Sequence, residues 1–293
     1  IYGMAIAKIW HIDEMFKLYK KGITPNTDID CNEKIKFPML INALKKTGCQ
    51  YLVTGHYARI GRKGEKFFLL RGKQEAKDQS YFLYRLGQGE LKKVLFPIGN
   101  YTKKDVREIA RRNRFLNYNK KSTIGICFVG KIDLKDFLKK RIKPKKGNIL
   151  DPNGKVIGEH DGIYYYTIGQ RIGPRFGIEV NKGKDSSKRW YVARKDSKRN
   201  IIIAAPEGDK LLYRKEVVIK NFHLVSENKN NFMKKTLKKP IVIYSRIRNV
   251  GELLKSKIYF EKDKYKIILD EAITGISDGQ AVVLYKGEEV IGG

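Results

Sequence analysis

Apolar residues recur at helical spacing early in the chain and in short alternating runs later. Residues 13–21 (DEMFKLYKK) make an amphipathic stretch, acidic at its start and basic at its end. A helix dipole favours that order. Ile35, Phe37, Leu40, Ile41 and Leu44 share one helical face and predict a helix over 34–47, stopped by Gly48. Tyr51–Thr54 reads as a short buried strand, and 57–62 with 66–71 as a hairpin around Lys63-Gly64. Thr102-Lys-Lys-Asp105 resembles a capping box opening a basic helix that runs to about Arg114. This alternation predicts an α/β domain over residues 1–138.

After Leu138 the pattern changes. Lys139–Lys146 carries six basic residues in eight with Pro144 inside, and reads as a linker. Strands are then predicted at Gly162–Thr167, Trp190–Ala193, Asn200–Ala204, Glu216–Lys220, Ile241–Arg246, Lys257–Phe260, Tyr265–Leu269 and Ala281–Tyr285. Polar stretches interrupt them at Lys182–Arg189 and Ser226–Lys239, and the second is expected to be a mobile loop. Residues 139–207 form a small β-rich central domain on this reading, and 208–293 a second β domain.

Composition adds a possible partner. The 293 residues hold 62 Lys and Arg against 31 Asp and Glu, a net charge of +31. Such an excess suits a polyanion, nucleic acid first. Because 45 of the 62 basic residues are Lys, an AT-rich genome is the alternative cause. No apolar run approaches the roughly 18–20 residues that span a bilayer. Three cysteines, Cys31, Cys49 and Cys127, with no CxxC argue against a disulfide scaffold or structural zinc and fit a reducing cytoplasm.

Several positions could carry chemistry. Cys31 follows a turn and precedes a helix expected from Asn32, where backbone N–H groups would favour thiolate. Cys127 lies in Gly125-Ile-Cys-Phe-Val-Gly130, whose glycines permit close approach to a ligand. The plain reading of each as an isolated cysteine is a small buried hydrophobe, and it is strongest for Cys49. Gly55-His56-Tyr57 ends a strand, where α/β sheets bind ligands, although a lone histidine is commonly structural. Lys77-Asp-Gln-Ser-Tyr-Phe82 combines charge, amide and two aromatics, as a nucleotide-contact loop or merely a solvated one. Tyr164–Arg171 suits RNA stacking or a packed β face equally.

Taken in order, GITPNTDIDCNEKIKF (22–37), TGHYAR (54–59), KDQSYFLY (77–84), FPIG (96–99), GICFVG (125–130), GEHDGIYYYTIGQRIG (158–173), WYV (190–192), DGQAVVLY (278–285) and GEEVIGG (287–293) closely resemble the tRNA-specific 2-thiouridylases, the MnmA/TrmU family. The resemblance covers nearly the whole chain from about residue 12. It implies a partial adenine-nucleotide alpha-hydrolase-like (PP-loop ATPase) domain, a small β-rich central domain and a C-terminal β-barrel-like domain. It also implies replacement of the C2 oxygen of a wobble uridine (U34) by sulfur, after adenylation with ATP and its Mg2+. The partners implied are tRNA and a persulfide sulfur donor or relay protein. Cys127 would carry the persulfide and Cys31 would form a transient disulfide with it. Asn26, Thr27 and Asp28 match the family motif that meets the target base, with Asp28 as general acid/base. Gly55 would lie at ATP. His56, Lys77, Asp78, Gln79, Arg246, Ile247 and Gln280 would meet tRNA. No structural metal is implied.

The chain also departs from that family. Its Ser-Gly-Gly-Val-Asp-Ser-Ser loop, which cradles the ATP pyrophosphate, does not occur in these residues, so a preceding segment is expected to hold it. Ile1–Trp10 matches the family poorly. Thr27 replaces a proline, Ser122-Thr123-Ile124 replaces Asp-Ser-Thr, and Ile247 stands where a tyrosine usually follows the arginine. The alternatives are a non-catalytic tRNA-binding relative that has lost ATP binding, and another adenylating ligase acting on a small molecule.

Overall fold

The computed structural model describes residues 12–120, 133–174, 178–183, 187–248 and 251–293. Helix α1 (12–20) leads through a turn to α2 (Thr27–Cys31). One wider π-helical turn, Asn32–Lys36, then joins α2 to α3 (Phe37–Thr47), which ends at Gly48 in the left-handed conformation. The helix therefore starts earlier than the apolar spacing predicts. Asn26 caps it, its Oδ1 accepting the Ile29 N–H at 3.3 Å. A capping asparagine outweighs the lack of apolar periodicity over the first turn.

Strand β1 (Leu52–Val53) is followed by the hairpin β2 (Ala58–Lys63) and β3 (Lys66–Arg71), which turns at Gly64 with φ +58. Then come α4 (Gln88–Leu91), β4 (Val94–Leu95) and α5 (Lys103–Arg112). The predicted capping box is present: Thr102 Oγ1 accepts the Asp105 N–H, and an Asp105 carboxylate oxygen accepts the Thr102 N–H at 2.8 Å. β1 and β4 pair in parallel, and Val53 and Leu95 on this small ribbon are exposed.

Helix α6 (Leu134–Lys139) precedes β5 (Gly147–Leu150), β6 (Val156–His160), β7 (Arg171–Ile172), β8 (Trp190–Asp196) and β9 (Ile201–Pro206). These strands form a sheet in the order β6-β5-β9-β8-β7. The strand predicted at Gly162–Thr167 is instead one 3-10 turn, Ile163–Tyr165. Tyr165 and Tyr166 are buried, so the packed alternative holds for them. The hydroxyls of Tyr164 and Tyr165 tie this turn to the carbonyls of Lys143 and Ile142.

The last part holds β10 (Tyr213–Ile219), α7 (Lys229–Lys238), β11 (Ile241–Arg246), β12 (Leu254–Glu261), β13 (Lys264–Thr274), β14 (Val283–Lys286) and β15 (Glu289–Gly292). The stretch expected to be a mobile loop is largely helical. Asn228 caps α7, and Phe232 and Thr236, one turn apart, are buried beneath its lysines.

Two features cut across chain order. The hairpin β2–β3 joins the C-terminal strands in one antiparallel sheet, β10-β13-β12-β11-β14-β15-β3-β2. Along β14, Val283 and Tyr285 enter the core shared with Phe37, Leu69 and Tyr81, while Leu284 enters the core shared with Phe232, Ile243 and Ile258. A strand buried on both faces reads as a continuous apolar run, as VVLY does. Helix α1, in turn, packs Met15, Phe16 and Tyr19 into the core of the five-stranded sheet, with Leu138 of α6.

Candidate functional site

Asn26, Thr27 and Asp28 occupy the cap and first turn of α2, and the segment before them is held from two sides. The five-stranded sheet's part supplies Ser197, whose Oγ donates to the Lys21 carbonyl at 3.3 Å, and Thr167, whose Oγ1 lies 3.2 Å from Thr24 Oγ1. The C-terminal part supplies the Asp278 carbonyl, which accepts the Thr24 N–H at 3.2 Å. Gly279, at φ +89, lets the two backbones meet: a Cβ there would sit 2.3 Å from Ile23 Cγ2 and 2.8 Å from the Thr24 carbonyl.

Next to this clamp is a cavity of about 250 Å³, lined by Pro25, Asn26, Thr27, Asp28, Tyr81, Phe82, Ile247, Arg248 and Gln280. Five residues expected at the RNA from three distant stretches, Asn26, Thr27, Asp28, Ile247 and Gln280, thus share one wall-to-wall space. Gln280 Oε1 is buried with no hydrogen-bond partner among the described residues. An acceptor in that state favours a ligand that brings an N–H. Tyr81 anchors the floor: its hydroxyl donates between the carbonyls of Ile247 at 3.2 Å and Ala281 at 3.0 Å. Burial holds that hydroxyl far above the usual tyrosine range, so it stays a neutral donor.

Cys31 ends α2 one turn beyond Asp28 and is 0% exposed. It does not stand at a helix N-terminus as expected, because the helix begins at Thr27. The dipole's effect fades within the first turn, so nearness to Asn26–Asp28 distinguishes this thiol more than the dipole does. The π-helical turn follows it directly; there Asn32 is buried and its Nδ2 donates to the Phe82 carbonyl at 3.1 Å. Such turns commonly sit at functional sites. Cys127, with residues 122–130 around it, lies outside the described residues. Cys49 is exposed between α3 and β1, not buried as its reading as a small hydrophobe had it.

Gly55 and His56 stand at the carboxyl end of β1. Gly55 is exposed, and a Cβ there would meet only Ile98 Cδ1 at 4.0 Å. This open backbone fits the close approach of a nucleotide. His56 Nδ1 is 2.8 Å from Thr54 Oγ1, and its ring lies 5.8 Å from both Phe37 and Phe96. Burial, with the Lys36 charge nearby, pulls its pKa down to about 4, so the ring is neutral at pH 7. Gln79 clasps the same segment: its Oε1 accepts the Tyr57 N–H at 2.9 Å, and its own N–H donates to the Tyr57 carbonyl at 2.9 Å.

Lys77 is exposed, but Asp78 and Arg246 are only 3% and 2% exposed. Arg246 Nη1 donates to Asp78 Oδ2 at 2.9 Å, and Asp78 Oδ1 accepts the N–H groups of Gly72 and Ser80, each at 3.0 Å. The direct RNA contact expected of these two is not available in this structure. They join the KDQSYF loop to β11 and so fix Tyr81 and Ile247. Ile247 is itself buried, 4% exposed, and meets the cavity only as part of its wall. Sequence reasoning missed Pro25 and Arg248 in the cavity. Tyr81 and Phe82 were visible only as aromatics of an unassigned loop.

Residues 8–131 match the family profile described as tRNA methyl transferase HUP domain. Residues 135–206 match tRNA methyl transferase PRC-barrel domain, and 214–293 match Aminomethyltransferase beta-barrel domain. A tRNA-specific 2-thiouridylase of Coxiella burnetii is 38% identical over 277 residues, 94% of this chain and 74% of its own length. The protein of the same name from Buchnera aphidicola is 41% identical, covering 96% of this chain and 74% of its length. That from Mycoplasmopsis synoviae is 41% identical, covering 94% and 69%. The chain belongs to the MnmA family. The fold class follows with it: a HUP-type α/β part, a small central barrel domain and a C-terminal β-barrel domain. No helix among the described residues is long and apolar enough to cross a membrane. No cluster of three or more His, Cys, Asp or Glu side chains among them is placed to hold a metal.

Proposed function

We propose that the protein is a tRNA-uridine 2-sulfurtransferase that makes 2-thiouridine at the wobble position. One observation carries this reading: Asn26, Thr27, Asp28, Ile247 and Gln280 line a single cavity one helical turn from the buried Cys31. The names of the family members quoted above point the same way.

The cavity receives the flipped uridine, and Gln280 Oε1 accepts an N–H of the base. ATP, when bound near Gly55, would supply the adenylyl group that turns the C2 oxygen into a leaving group, with pyrophosphate released in that transfer and the C2 oxygen later departing in AMP. Asp28 holds or moves the proton at the base edge. A relay protein loads Cys127 with a persulfide, whose terminal sulfur bonds to C2 as the C2–O bond breaks. The Cys31 thiolate then attacks Sγ of Cys127 and forms a Cys31–Cys127 disulfide. The electron pair of the broken S–S bond stays on the transferred sulfur, which becomes the thiocarbonyl. Two external thiol equivalents, or one dithiol, reduce the disulfide for the next turnover and are themselves oxidised to a disulfide. The protein works with tRNA and the relay protein in the reducing cytoplasm, on this reading.

The test uses the protein expressed from its full reading frame, incubated with ATP, a persulfide donor and unmodified tRNA. A sulfur-for-oxygen mass shift on the wobble uridine is expected, lost in Cys31→Ala and Cys127→Ala. Unchanged product in either variant would sink the mechanism. A methyl-group shift would favour the methyl transfer named in two of the domain descriptions. Binding of tRNA with no product under any condition would favour the non-catalytic relative.

A further inference from the structure

Two of the cavity residues outside the scheme above, Phe82 and Arg248, are built into place. Phe82 is half-buried, and its ring makes a T-shaped contact with that of Tyr81, centroids 5.5 Å apart at 85°. Tyr81 in turn is fixed by the carbonyls of Ile247 and Ala281. The Phe82 backbone is pinned by Asn32, in the π-helical turn beside Cys31. Phe82 lines the cavity, and its ring cannot turn without breaking the contact with Tyr81.

Arg248 reaches the same cavity from the end of β11. Its Nη2 donates to the Gly275 carbonyl at 2.6 Å. Two glycines from different parts of the fold make its slot, both in the left-handed region: Gly169 at φ +83 and Gly275 at φ +76. A Cβ on Gly275 would sit 2.1 Å from Nη2, and one on Gly169 would sit 3.1 Å from it. A side chain at either position would strain the backbone and press on the guanidinium. Arg248 is exposed overall and lines the cavity, and its guanidinium is fixed by this bond and this slot.

Phe82 and Arg248 both line this cavity, and an aromatic ring and a guanidinium are the groups on which an unstacked nucleobase settles. We propose that Phe82 and Arg248 hold the substrate base by stacking and cation contact, and so position its C2 edge for Asp28 and the sulfur carrier. This rests on the functional reading above and adds two substrate-binding residues to it. Base–aromatic stacking tolerates any ring but not an aliphatic side chain. A lysine in place of Arg248 keeps the charge and loses the plane.

The experiment compares two anticodon stem-loop RNAs, identical except that one has an abasic wobble nucleotide. The wild-type protein is expected to prefer the base-containing RNA by about fivefold to a hundredfold, the range of one stacked base. Phe82→Leu and Arg248→Lys should each bring that preference close to unity, while Phe82→Tyr keeps it. Gly275→Ala should act like Arg248→Lys, because it displaces the guanidinium from outside the cavity. Unchanged affinity for the abasic RNA shows in each case that the variant is folded. A wild-type protein without preference overturns the reading of the cavity as the uridine site. A wild-type preference that persists in Phe82→Leu or Arg248→Lys overturns this inference alone.

Discussion

The carboxylate of Asp78 accepts hydrogen bonds from two backbone N–H groups, from Ser80 Oγ at 3.0 Å and from Arg246 Nη1 at 2.9 Å. Arg71 Nε lies 3.8 Å away, and the Arg246 guanidinium lies over the Tyr285 ring at 5.3 Å. A charge-dense motif on a loop reads from sequence as a surface contact. Here its central carboxylate is consumed inside the fold, because a guanidinium stripped of water needs a paired anion to offset its lost hydration. Removing one member of such a pair strands the other in a low-dielectric interior, at a cost of about 3–5 kcal/mol. Asp78→Ala should therefore lower the free energy of unfolding by about that amount in urea titrations. The double variant Asp78→Ala with Arg246→Met should lose less than the sum of the two single changes. Strict additivity would show that the two side chains do not act as a pair.

At the scale of elements, the legible parts carried their own signals. The hairpin β2–β3 has its turn glycine, α5 has both halves of its capping box, and most C-terminal strands have β-branched or aromatic runs. Helix α7 was hidden because lysines and asparagines crowd its sequence. Its buried side rests on few residues, Phe232 and Thr236 with Met233 partly covered. Phe232 stacks on Phe222 at 5.5 Å and lies 5.9 Å from Tyr265, so the helix is tethered by one aromatic cluster. Phe232→Ala should cost about 3–5 kcal/mol of stability, and Asn228→Ala about 1 kcal/mol through the lost cap. Circular dichroism during urea unfolding would read both. A loss at Asn228 equal to that at Phe232 would mean that the cap, not the cluster, holds α7. The π-helical turn after Cys31 was not legible, and the bond made from within it, Asn32 to the Phe82 carbonyl fifty residues away in sequence, is tertiary.

Over the whole molecule, the candidate site is a product of assembly. Asn26–Asp28 belong to the first part of the chain, Ile247 and Arg248 are the two residues after β11, and Gln280 lies in the turn before β14. The segment just before them is pinned by Thr167 and Ser197 of the central part and Asp278 of the last. The family resemblance placed five of the cavity's nine lining residues at the RNA, but only packing shows that they face one space and that Asp78 and Arg246 stand behind it. The net charge of +31 fits a tRNA partner but does not say where the RNA lies. The Lys-rich run Lys139–Lys146 would attract phosphates as well as any other surface. A photo-crosslink from a 4-thiouridine at the wobble position of an anticodon stem-loop tests the placement directly. Peptides containing Asn26–Asp28, Tyr81–Phe82 or Ile247–Arg248 are the predicted sites of attachment. Crosslinks confined to Lys139–Lys146 or to other surfaces, with none in the cavity, would contradict the account.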